Sequence, residues 1–134
     1  MEIDIKKWND WANRSSFLFS GIKDNRKIGI LIDSIEDKLI ILTKKENGID
    51  VSLLNDVEEV DDKTADLILE IKEDDVEKVI NDENFSKFLE LTASDEIKMY
   101  DLVGIKKLIR LGYEAFLSRI GYNVNNTDTC CCCC

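Results

Sequence analysis

The chain has 134 residues, 44% hydrophobic and 34% charged, with a net charge of −10 and neither histidine nor proline. That length carries one core, and the missing histidine excludes Ser-His-Asp triads, histidine metal sites and histidine pH switching. The six glycines make neither GxGxxG nor GxxxxGK[ST], so no phosphate loop is present, and no apolar run approaches the roughly 20 residues of a membrane span.

The start, "MEIDIKKWNDW", is polar and amphipathic and has no signal-peptide core, so a cytoplasmic location is expected. Residues 3–14 form a short helix with Asp4 as N-cap; Ile5, Trp8, Trp11 and Ala12 make one apolar face that packs onto the domain. Residues 17–54 read as strands. "SFLFSGI" alternates through Phe17 and Phe19, and "RKIGILIDSIED" through Ile28, Ile30 and Ile32, with Gly29 where a small barrel would bend. "KLIILTKK" is a continuous apolar run. Asn47-Gly48 signals a tight turn into a strand alternating through Ile49, Val51 and Leu53. In pattern alone, this strand spacing resembles SH3-like or Sm-like small barrels.

An acidic turn, "NDVEEVDDK", follows at 55–63. The next strand, 64–72, alternates through Ala65, Leu67, Leu69 and Ile71. From 73 the spacing turns helical. Val76, Val79 and Ile80 share a face, then Phe85, Phe88 and Leu89, across a break near Asn81-Asp82. Residues 101–120 read as the longest helix, opened by Asp101 and stopped by Gly121, with Ile105, Leu108, Ile109, Tyr113, Phe116, Leu117 and Ile120 on one stripe. Gly104 and Gly112 lie on the Leu108 and Phe116 side, which implies close approach of another element. Lys106, Lys107, Arg110 and Arg119 occupy the outer side, where they can meet acidic residues. The expected fold is α+β: a short N-terminal helix, a small bent antiparallel sheet of about four or five strands, and C-terminal helices. It forms a single domain over 1–122, followed by a flexible tail over 123–134.

Charge is uneven along the chain. Residues 46–96 hold 4 basic and 18 acidic residues, between near-neutral ends. Such a belt disfavours nucleic acid and complements a basic protein surface. The partner-facing residues of the belt are Glu58, Glu59, Asp61, Asp62, Asp74 and Asp75. Their spacing is not that of an EF-hand, so the clusters read as a solvated acidic face. Asp74 and Asp75 also suit the N-cap and first turn of a helix. No carboxylate pair or serine-base arrangement is singled out, so a non-catalytic interaction module, of adaptor, inhibitor or immunity type, is expected, with no cofactor.

The chain's five cysteines are consecutive at its end: Cys130, Cys131, Cys132, Cys133 and Cys134. Adjacent cysteines pair poorly with each other and no other thiol exists, so the run acts outward. Four roles compete. It is an artefact of the sequence, a thiolate ligand run for Zn or Cu(I), a source of disulfide-linked homo-oligomers, or an acylated membrane attachment. The alternative function is therefore a thiol carrier, metal-binding or anchored assembly protein. A reductant should leave the melting temperature almost unchanged while altering oligomeric state, metal content or membrane attachment. A chain cut after Thr129 should stay monomeric at low concentration. Unfolding on reduction would show instead that the thiols hold the domain together.

Overall fold

The computed structural model of the protein describes residues 2–83 and 85–122. Asp4 opens α1 (Ile5–Arg14), its Oδ1 accepting the Lys7 N–H at 3.3 Å. A 3₁₀ turn (Ser16–Phe19) leads into β1 (Lys27–Ile32), β2 (Leu39–Lys45) and β3 (Gly48–Leu54). A long connection precedes β4 (Leu67–Ile71), α2 (Glu73–Ile80), α3 (Ser86–Ala93), β5 (Lys98–Asp101), α4 (Ile105–Arg110) and α5 (Glu114–Arg119). The α+β class holds. The five strands lie in the order β3-β2-β1-β4-β5.

Two features of the sheet differ from expectation. It is mixed, not antiparallel: β1 and β4 run parallel, with Ile28 opposite Leu67 and Ile32 opposite Ile71. It is also an open sheet with two edges, unlike a closed small barrel. Parallel pairing needs a long crossover, and the segment from β3 to β4 supplies it. Gly29 marks no bulge, since it stays in register with Ile41 and Ile68. Its missing side chain leaves room for Ile68 Cδ1 and the Leu39 methyls.

The pleat sends residues to two unequal cores. Ile28, Ile30, Ile32, Ile40, Leu42, Leu67, Leu69 and Ile71 face the helices and pack with Trp8, Trp11, Val76, Val79, Phe88, Leu108, Phe116 and Leu117. The opposite face holds a smaller cluster of Leu39, Ile41, Ala65 and Ile68, with Leu31, Val57 and Leu102 at its margin. In the larger core the aromatics contact edge to face: Trp8 with Trp11 at 5.7 Å and Trp11 with Phe19 at 6.2 Å between centroids. Trp11 Nε1 and Ser15 Oγ, one helical turn apart, are buried without hydrogen-bond partners among the described residues.

"SFLF" is not a strand. Leu18 and Phe19 are both buried while Phe17 is 62% exposed, and consecutive burial on one side suits a helical turn rather than a pleat. The hairpin between β2 and β3 closes on the Lys45–Gly48 pair, so its loop is 46–47, one residue earlier than the Asn-Gly signal. Gly48 instead admits the Asn13 side chain, whose Oδ1 would lie 2.7 Å from an added Cβ.

The helix expected over 101–120 is three elements. Asp101 belongs to β5, and its Oδ1 accepts the Val103 and Gly104 N–H groups at 3.0 and 2.7 Å. Gly104, at φ +97°, starts α4, and Gly112, at φ +94°, separates α4 from α5. The close approach expected of these glycines occurs at Gly112, where a Cβ would run into the Gly21 carbonyl oxygen; nothing lies within 4 Å of one at Gly104. Leu108, Phe116 and Leu117 are fully buried, whereas Ile109 is half-buried. Arg119 does not meet the acidic belt. It stacks on the Phe17 ring at 4.6 Å and donates Nη1 to the Phe17, Leu18 and Ser20 carbonyls.

Phe116→Ala should lower stability by about 3–5 kcal/mol, read as a shift of the denaturation midpoint. Gly112→Ala should be markedly worse than Gly104→Ala, because both force a left-handed side chain but only the first also collides with backbone. Equal effects from the two alanines would contradict the Gly21–Gly112 contact.

Candidate functional site

The connection between β3 and β4 is an acidic strap. It leaves β3 at Leu54 and turns at Asp56, which has φ +56°. Its Val57 N–H donates to the Asp37 carbonyl at 2.8 Å, and Val57 packs against the smaller core. A second turn is tied by Asp61, whose Oδ1 accepts from the Lys63 N–H and Thr64 Oγ1 at 3.0 and 3.2 Å. Anchored at both ends, the strap leaves Glu58, Glu59, Asp61 and Asp62 exposed around Val60, itself 37% exposed. Among the described residues none of these carboxylates enters an ion pair.

Asp74 and Asp75 do not join that group. They belong to the first turn of α2, beyond the far end of β4, a strand about 17 Å long. Asp75 is 6% exposed and accepts from Lys78 Nζ at 3.2 Å, so it is not free to meet a partner. Neither residue caps α2. The cap comes from Asp33 at the end of β1, whose Oδ1 accepts the Glu73 N–H at 3.0 Å. Cys130–Cys134 and the tail from 123 lie outside the described residues. Among the described residues no group of three or more acidic or thiol side chains is placed to hold a metal ion, and no helix is long and apolar enough to cross a membrane.

The strap ends on a polar cluster that sequence reasoning missed. Asp66 is buried and bridges three elements. Arg26 donates Nε to its Oδ2 at 3.0 Å and Nη2 to its Oδ1, and Tyr113 donates its hydroxyl to Oδ2 at 2.7 Å. The Asp66 backbone bonds Lys27 and Leu102 on either side. Burial, reinforced by the Asp66 carboxylate, pushes the Tyr113 hydroxyl well above its ordinary range, although Arg26 opposes this. Arg26 is likewise raised, first by its bonds to Asp66. Three donors on one buried carboxylate, two of them charge-assisted, fasten the end of the strap to the start of β1 and to the corner between α4 and α5. Arg26 and Asp66 line a cleft of about 150 Å³ together with Asn25, Asp62 and Lys63. The available signal was a single carboxylate set between Ala65 and Leu67 in an apolar run.

No protein-family model matches the chain, and no curated protein matches it in sequence.

Above its ordinary pKa of 10.0, Tyr113 ionises in the unfolded chain while the folded protein keeps it neutral. Its contribution is therefore complete below about pH 10 and declines as pH rises further. Tyr113→Phe should cost about 1–3 kcal/mol at neutral pH, by removing a donor from a buried carboxylate. The stability difference between the two proteins should narrow above pH 10. A constant difference from pH 8 to 11, followed by thermal melts, would show that the hydroxyl is not held as described.

Proposed function

We propose that the protein is a non-catalytic interaction module of adaptor, inhibitor or immunity type, which presents its acidic strap to a basic protein surface. One observation carries this reading. Glu58, Glu59, Asp61 and Asp62 stand exposed, without ion pairs among the described residues, on a segment fastened at Val57 and Asp61. A fixed array of like charge gives long-range attraction, and Val60 at its centre gives a dry contact after docking. Asp75 is withdrawn from the partner-facing set because Lys78 and burial occupy it. No cofactor and no catalytic step form part of the proposal.

The alternative places function in the thiol run Cys130–Cys134, and is favoured by the confinement of all five cysteines to one stretch. Deleting 130–134 separates the two: partner binding through the strap survives, whereas metal binding, cross-linking or acylation is lost.

For a partner isolated from the native source by cross-linking, association should slow steeply as the Debye length falls from about 30 Å at 0.01 M salt to about 8 Å at 0.15 M. Dissociation should change little. Neutralising the strap with Glu58→Gln, Glu59→Gln, Asp61→Asn and Asp62→Asn should remove most of that salt dependence in stopped-flow or surface-binding kinetics. An association rate indifferent to both salt and the four substitutions would take the strap out of the interaction.

A further inference from the structure

We infer that the outer edge of β3 is a strand-addition site for an extended, basic segment of the partner, an inference that rests on the acidic-strap reading and specifies how that partner is gripped. In an antiparallel pair, successive residues turn their N–H and C=O alternately toward the neighbouring strand and away from it. The phase at β3 is fixed twice over. Lys44 on β2 is engaged on the β1 side, accepting the Asn25 N–H at 2.7 Å and donating to the Arg26 carbonyl at 2.9 Å. Ile49, opposite Lys44, therefore turns outward. There the Asn13 side chain meets it, Oδ1 accepting the Ile49 N–H and Nδ2 donating to the Ile49 carbonyl, each at 3.0 Å.

The Asn13 amide thus fills the place of one residue of a sixth strand. It covers only Ile49. Val51 and Leu53 follow at two-residue spacing and turn the same way, and no described residue takes their N–H or C=O groups. Open edges of this kind pair readily with another extended chain. Surface that side chains of an added strand could reach flanks the open stretch on both faces of the sheet. On the helix side lies a groove of about 250 Å³ lined by Glu2, Ile3, Ile35, Lys38 and Leu53. On the other side Leu54 is 40% exposed. Alternate side chains of an added strand would reach one or the other.

Charge selects the occupant. Asp50 and Asp56 bracket the open stretch, and both are exposed. Glu36 and Asp37 precede Lys38 in the turn that the Val57–Asp37 bond holds against the start of the strap, which continues with Glu58 and Glu59. Lys38 is the single cation of that set. A second copy would bring the same acidic edge against itself, whereas lysine or arginine on an added strand is attracted to it.

The test is amide hydrogen exchange followed by NMR on the full-length, reduced protein with three synthetic peptides of about seven residues. One alternates lysine and valine, one alternates glutamate and valine, and the third is the lysine peptide with every internal amide N-methylated, which keeps its side chains but cannot donate. At saturation the lysine peptide should slow exchange at Val51 and Leu53 by about tenfold or more. The other two peptides should not. No slowing at millimolar peptide, or equal slowing by the N-methylated form, overturns the edge site. Shifts confined to residues 57–62, with Val51 and Leu53 unchanged, overturn it while leaving the acidic-strap reading standing. Equal protection by the glutamate peptide overturns both. Protection without peptide that grows with protein concentration assigns the edge to a second copy and likewise overturns the proposal.

Discussion

The fold depends on one buried carboxylate. Asp66 sits where the strap ends and β4 begins, and its bonds reach Arg26 ahead of β1 and Tyr113 at the corner between α4 and α5. Its backbone joins Lys27 on one side and Leu102 on the other. That fastening pins the start of the parallel pairing of β1 with β4, which follows a strap and not a packed helix. A charge this deep is tolerated only because a guanidinium fork and a phenol satisfy it. Removing Arg26 leaves Oδ1 without its donor, and removing the Tyr113 hydroxyl leaves Oδ2 with Arg26 Nε alone, at a point where four chain segments meet. The cluster is therefore a lock on topology, and the acidic strap is displayed because the lock holds its far end.

The larger elements were legible in the sequence because each obeys one period. Alternation gave β1, β3 and β4, and three- and four-residue spacing gave α1 and α2. What failed did so for physical reasons. The parallel pairing is a property of chain order that no local pattern encodes. The stretch 101–120 keeps a helical stripe through Leu108, Tyr113, Phe116 and Ile120 because both short helices bury the same side, yet Gly104 and Gly112 adopt positive φ and divide it. β5 has four residues and no buried side chain, too little for any period to register. At "SFLF" aromatic alternation suggested a strand, but Leu18 and Phe19 go to the same core.

The candidate site was legible only in part. Glu58, Glu59, Asp61 and Asp62 stand together as a charge run suggests, because a strap anchored at its ends has no place to bury them. Asp74 and Asp75 looked equivalent in the sequence and are not, since the helical turn puts one outward and folds the other under Lys78. The contribution of Asn13 was hidden for another reason. An asparagine on the polar side of an amphipathic helix gives no hint that it will serve as backbone for a strand far along the chain.

The contact between Gly21 and Gly112 bears on how the chain is made. Besides Trp11 and Phe85, the turn at 16–23 is held by residues far along the chain: Phe116 stacks on Phe19, Arg119 takes three of its carbonyls, and the Lys23 N–H donates to Leu111. The face of α1 bearing Trp8 and Trp11 packs against β3, α2 and Phe88, all earlier in the chain than α4 and α5, so the turn at 16–23 is the part of the core that waits for these two helices. The hairpin of β2 and β3 and its contact with α1 need neither helix, but the core around Phe19 cannot close without them. A chain lacking α4 and α5 would therefore leave Leu18 and Phe19 without much of their cover, and exposed apolar surface of that kind favours aggregation.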